Sequence, residues 1–115
     1  MNWAEFITEC IPEPRTVRVE AYEGSGAYGD TYAAPVDVAP CVVDDTNRRV
    51  VAQTQGAQGG EVVSSTTVFA PPGTVAPPGS RVTLPWSGRV TKVLATSVLE
   101  DHGLDLPEHV ELSLE

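Results

Sequence analysis

The stretch APPGTVAPPG, Ala70 to Gly79, sets two Pro-Pro-Gly turns around a three-residue step, Thr74-Val75-Ala76. Proline fixes φ and glycine supplies positive φ, so the chain turns, extends briefly and turns again. No long helix crosses such a region. A collagen repeat is excluded, because Ala76 stands where the triplet needs glycine. The prolines also miss the PxxP spacing of a groove-binding ligand, and their flanks are apolar rather than basic. Two corners this close belong to a compact β-structure.

The rest of the chain repeats that signal. TVRVEAY, Thr16 to Tyr22, alternates Val17, Val19 and Ala21 with Arg18 and Glu20, the period of a half-buried strand. EGSGAYGDTYAAP follows as a glycine-rich polar loop. Val36 to Val43 reads as a second strand, kinked at Pro40 in the manner of an edge or a bulge. DDTN makes a turn, and Arg48 to Gln53 pairs back before TQGAQGG. EVVSSTTVF, Glu61 to Phe69, has the highest β-branched content and predicts one continuous strand. After the proline corners come SRVTLPW, GRVTKVLATSV and HVELSLE, each alternating. Val63, Phe69, Val82, Leu84, Val93, Val110 and Leu112 are the expected core. Trp3, Phe6 and Ile7 have helix-like spacing, but Pro12 and Pro14 stop it early, which predicts an extended N-terminal arm over residues 1–15 or a single turn. The fold class is all-β, a small antiparallel barrel or sandwich with long loops.

Size and charge narrow the function. A chain of 115 residues with 41% hydrophobic content fills one domain and builds a modest core. No apolar run approaches the roughly 18 residues of a membrane span. The first dozen residues hold acids where a signal peptide holds lysines, which predicts synthesis in the cytosol. Cys10 and Cys41 lack metal-ligand spacing and read as reduced, partly buried thiols. The net charge of −9 is concentrated at the ends. Residues 1–13 hold three acids and no base, residues 100–115 six acids and no base, and the middle has seven of each. A basic footprint for free-standing nucleic-acid binding is absent.

Candidate chemistry is sparse, and no enzyme is expected. His102 and His109 stand near Asp101, Asp105 and Glu108, the residue types of a base or metal site, but read more simply as a loop and a strand start. Ser64-Ser65-Thr66-Thr67 lacks a nucleophile motif. Arg81 and Arg89, in the segment GSRVTLPWSGRV that is similar to the strand-turn-strand core of SH3-like nucleic-acid modules, and Lys92 just beyond it are candidate phosphate contacts, but three bases make a weak footprint. No phosphate loop and no cluster of metal ligands is visible, so no cofactor is expected.

VVSSTTVFAPPGTVAPPGSRVTLPWSGRVTKVLATSVLEDHGLDLPEHVELSLE resembles the recurring C-terminal part of the head-to-tail stopper family of tailed bacteriophages. The shared order is a strand, a turn, a short hydrophobic step, a Gly-x-Arg-Val strand, a glycine turn, a valine-rich strand and a closing P-x-H-V-E strand. The resemblance implies a small stopper-type β-barrel forming a homo-oligomeric, typically dodecameric, ring in the virion neck. A portal and adaptor would lie above it, a tail terminator or tail tube below, and packaged double-stranded DNA would pass through the lumen, with no membrane involved. It also implies that the loop within Asp44 to Glu61 projects into the lumen as a gate. The composition suits that role: Gln53, Gln55 and Gln58 can form amide ladders between copies, Gly56, Gly59 and Gly60 free the backbone, and Arg48 and Arg49 are bases near DNA. Trp3, Phe6 and Ile7 are the candidate docking residues for an adjacent protein, the competing reading being that the arm packs on its own barrel. The other function class is a monomeric SH3-like or OB-like binding module in the cytosol.

Overall fold

The computed structural model describes residues 2–27, 29–51, 61–100, 103 and 106–115. Over these residues it is an antiparallel β-structure with one short helix. Strands β1 (Arg15–Glu20), β4 (Val36–Asp44), β7 (Thr66–Ala70), β8 (Arg81–Thr83), β9 (Val90–Leu99) and β10 (His109–Leu114) close into a barrel in the order β1-β4-β7-β10-β9-β8. Two hairpins leave it, β2 (Tyr22–Gly26) with β3 (Gly29–Tyr32), and β5 (Arg48–Val51) with β6 (Glu61–Ser64). β2 continues the end of β1 and β5 follows the end of its antiparallel neighbour β4, so the hairpins leave opposite ends. The molecule is accordingly elongated, 46 × 27 × 25 Å.

Alternation decides what fills the barrel. Val17 and Val19 of β1, Val82 of β8 with Leu84 just beyond it, Val93 of β9, and Val110, Leu112 and Leu114 of β10 are buried in one cluster with Cys41, Val68, Ala70 and Ala76. Five of the seven expected core residues are therefore inside. The other two need correction. Val63 is 59% exposed, and Phe69 is half-buried on the outer wall. The cause is a break at Ser65: the expected single strand Glu61–Phe69 is two strands, β6 outside the barrel and β7 within it. In β7 the inward residues are Thr66, Val68 and Ala70, the opposite parity to Val63 and Phe69, and a one-residue change of phase exchanges the faces.

The region read as a glycine-rich loop, Glu23 to Pro35, contains the β2–β3 hairpin. Pro40 lies at a bulge, where β4 takes one residue more than β1 between the pairs Val17–Val38 and Arg15–Cys41. It is not on an edge strand, because β4 is flanked by β1 and then β7.

The Pro-Pro-Gly pair forms two turns that cross the end of the barrel. Thr74 Oγ1 donates to Pro71 O at 2.7 Å in the first. In the second, Ser80 Oγ donates to Pro77 O at 2.6 Å, while Gly79 N–H donates to Val93 O and Val93 N–H to Ser80 O, each at 2.9 Å. Tyr22 N–H donates to Ser80 Oγ at 2.9 Å, so the β2–β3 hairpin is tied to this corner. Gly73 and Gly79 both have positive φ, 85° and 95°. A Cβ at Gly73 would meet open space, whereas one at Gly79 would lie 3.2 Å from Tyr22 Cδ2. Gly79→Ala should therefore cost about 1–3 kcal/mol and exceed the cost of Gly73→Ala, as read by urea denaturation. Equal costs would show that the Tyr22 ring yields freely.

Candidate functional site

The β5–β6 ribbon carries the segment expected to gate a channel. Its register sets Arg48 opposite Ser64, Arg49 opposite Val63, Val50 opposite Val62 and Val51 opposite Glu61. Among the described residues its strands pair with each other only. Cross-strand partners share a face, so Arg49, Val51, Glu61 and Val63 point one way and Val50 and Val62 the other. The first face is the open one: Val51 is 52% exposed, Val63 is 59% exposed, and the Arg49 and Glu61 side chains are mostly in water. Arg49 Nη1 stands 4.0 Å from Glu61 Oε2, an exposed pair that contributes little. Of the predicted gate residues, Arg48 begins β5 and Arg49 follows it. Gln53, Gln55, Gly56, Gln58, Gly59 and Gly60 lie outside the described residues.

A network of hydroxyls fixes the ribbon's foot. Ser64 Oγ is 2.7 Å from Leu114 O and 3.0 Å from Thr66 O, Ser65 N–H donates to Leu114 O at 3.1 Å, and Ser65 Oγ donates to Glu115 O. Arg89 Nη2 donates to Thr66 Oγ1 at 3.0 Å, and Thr66 Oγ1 donates to Asp45 Oδ1 at 2.8 Å. The Ser-Ser-Thr run thus serves as a corner, its hydroxyls holding β6 against the end of β10. Thr67 Oγ1 is buried without a partner among the described residues. These bonds surround a cleft of ≈ 420 Å³ at the barrel mouth, lined in part by Leu84, Trp86, Arg89, Thr66 and Asp45. Trp86 is 60% exposed, with the Arg15 guanidinium 4.4 Å from its ring centroid. The Arg89–Thr66–Asp45 chain was invisible to periodicity, because it joins three segments distant in sequence.

The N-terminal arm is a helix, α1 (Trp3–Cys10), laid on the outer wall of the barrel. Asn2 Oδ1 accepts from Glu5 N–H at 2.8 Å and Asn2 Nδ2 donates to Glu5 Oε1 at 3.2 Å, a reciprocal cap whose Asn-x-x-Glu signature stands in the sequence. Trp3 and Ile7 are 5% and 6% exposed. Trp3 Nε1–H donates to Pro40 O at 2.9 Å, and the Trp3 ring stacks on His109 with centroids 5.4 Å apart. The competing reading, that the arm packs on its own barrel, describes where these two residues are. Phe6 remains half-buried, and with Trp3, Ile11, Val42, Phe69, Pro107 and His109 it lines an apolar groove of ≈ 260 Å³.

The remaining candidates are dispersed. His109 Nδ1 lies 2.9 Å from Pro107 O, and its ring is packed among Trp3 and Phe69. His102, Asp101 and Asp105 lie outside the described residues, among which no group of three His, Cys, Asp or Glu side chains is arranged to hold a metal. Arg81 Nη2 donates to Glu20 Oε2 at 2.6 Å, and its guanidinium covers the Tyr32 ring at 3.9 Å, so it is engaged within the fold. Lys92 is exposed on β9. Cys10 is exposed and Cys41 buried; burial pushes the Cys41 thiol up to about 12, which keeps it un-ionised near neutrality. No described helix is long and apolar enough to cross a membrane. No protein-family model matches the chain, and no curated protein matches it.

Proposed function

We propose that this protein is a head-to-tail stopper of a tailed bacteriophage: a structural neck protein whose copies form a ring between the portal–adaptor complex and the tail. The barrel, of the SH3-like stopper type in this reading, forms the ring wall. The β5–β6 ribbon directs the loop holding Gln53, Gln55 and Gln58 into the channel, where copies meet and retain the genome. The observation that carries this reading is the ribbon itself. Its strands run out from the end of a closed six-strand barrel and flank the segment that the resemblance assigns to gating.

Charge supports it. The excess of acids in residues 1–13 and 100–115 would give such a ring a negative lumen, and a polymer repelled by the wall slides. The monomeric binding module remains the alternative, favoured by the cleft at the barrel mouth with Trp86 and Arg89 on its rim.

Immunogold labelling of purified particles separates the two. A stopper should be labelled at the junction of head and tail, and heads made without it should lack tails. Labelling absent from particles, with the protein soluble and monomeric in the host cytoplasm, would favour the module.

A further inference from the structure

We propose that the cleft at the barrel mouth binds the C-terminal residue of a peptide chain, its carboxylate on Arg89 and its apolar side chain beside Trp86. The cleft of ≈ 420 Å³ has an apolar inner part, buried Leu84 and half-buried Val43, and an outer part where Asp45, Trp86 and Arg89 are exposed. Trp and Arg are the residue types that most often dominate binding energy. Here both are held in place before any ligand arrives. Thr66, itself buried, accepts from Arg89 Nη2 at 3.0 Å and donates to Asp45 Oδ1 at 2.8 Å, so one hydroxyl sets the spacing of a cation and an acid. Trp86 has the Arg15 guanidinium 4.4 Å from its ring centroid. Its ring also lines a neighbouring depression that Arg15 shares, whereas Arg15 does not line the mouth cleft. The side of the ring away from Arg15 is thus left to the cleft.

The hydrogen-bonding groups left open select the ligand. With sixteen acids against seven bases, a cation in this chain readily finds a carboxylate. Arg15, Arg18, Arg49 and Arg81 each stand within 4.0 Å of one. Arg89 has none that close among the described residues, and it is bonded to a neutral hydroxyl instead. Its planar fork keeps donors for an anion, and that geometry matches a carboxylate. One guanidinium balances one negative charge. The exposed Asp45 beside it and the net charge of −9 work against a polyanion such as nucleic acid. Asp45 takes the Thr66 hydroxyl on Oδ1, and an ionised carboxylate only accepts, so Oδ2 calls for an N–H on the same ligand. A carboxylate, an apolar side chain and an amide N–H meet on one Cα at the C-terminal residue of a peptide. The site is complete within one copy and does not rest on the stopper reading.

The test titrates the isotope-labelled full chain with acetyl-Ala-Ala-Phe, with the same peptide as its C-terminal amide, and with inorganic phosphate, following the indole N–H signals of Trp3 and Trp86 by NMR. The free acid should move the Trp86 signal to saturation. The Trp3 signal, whose N–H is bonded to Pro40 O, should stay in place and report that each variant is folded. The amide should bind about tenfold more weakly, as the loss of one charge-assisted hydrogen bond implies. Arg89→Gln should bring the acid down to the level of the amide. Lys92→Gln removes the same charge from an exposed position outside the cleft and should keep the preference for the acid. Equal affinity for acid and amide, phosphate competing as well as the peptide, or a still Trp86 signal would overturn the proposal on the native chain alone. So would an acid preference that survives Arg89→Gln or disappears in Lys92→Gln. Movement of the Trp3 signal alone would put the peptide in the aromatic groove and overturn it too. Neck labelling of particles tests the stopper reading separately, and neither result decides the other.

Discussion

Trp3→Ala should lower stability by about 3–5 kcal/mol, the usual cost of truncating a large buried aromatic. The ring is 5% exposed, its N–H donates to Pro40 O, and it stacks on His109 and contacts Phe6, whose ring centroid is 5.5 Å away. Its loss also removes the anchor of α1. An eight-residue helix is far below the roughly 12–15 residues at which isolated helices become marginal, so α1 depends on packing. Its release uncovers Phe69 and His109 and leaves the Pro40 carbonyl without its donor. Trp3→Phe keeps the aromatic packing and should cost about 0.5–1.5 kcal/mol, the worth of one hydrogen bond. Chemical denaturation of the two variants checks both values. A loss below about 1 kcal/mol for Trp3→Ala would show that α1 is dispensable to the fold and free to serve a partner.

The helix also explains which parts of the fold were legible in the sequence. β1, β8 and β10 were readable because one face meets the core and the other carries polar residues, so Val17 and Val19, Val82, and Val110, Leu112 and Leu114 alternate cleanly. β7 was not. Its outer face holds Phe69 under α1 and its inner face holds Val68 and Ala70, so both faces are apolar or buried and periodicity gives no preferred side. Missing the helix and placing Phe69 in the core were the same error. The helix was hard to see because the surface its apolar face packs on comes from distant residues, Val42, Phe69 and His109, and its local signals, the Trp3–Phe6–Ile7 spacing and the Asn2–Glu5 cap, are cut short by Pro12.

The β2–β3 hairpin was hidden for a similar reason. Its glycines suggested a loop, but Tyr22 packs on Gly79 and Tyr32 on Arg81, contacts that span about fifty residues or more of sequence. The candidate site divides in the same way. The sequence placed Arg48 and Arg49 on a segment pairing back after the DDTN turn; they are on a paired strand, but its partner is β6, on the far side of the glutamine- and glycine-rich segment, rather than β4. It gave no hint of the hydroxyl corner at Ser64–Thr66, because the acceptors, Leu114 O and Glu115 O, come from the other end of the chain.

The largest functional effect is expected from the segment between β5 and β6. If it gates a channel, shortening TQGAQGG to a tight turn should leave the barrel and ring assembly intact. The described pairs of the ribbon, Arg48–Ser64 to Val51–Glu61, are all kept, and a change in loop length alters closure entropy only slightly. Heads completed with the shortened protein should still carry necks, yet lose most of their DNA. Replacing Arg48 and Arg49 by glutamate adds like charge near DNA without removing the plug, and should change retention less. The direct measurement is the nuclease-resistant DNA in purified heads, taken alongside negative-stain counts of attached necks. The stopper account predicts normal neck occupancy with DNA protection falling several-fold; full protection at normal occupancy would contradict it.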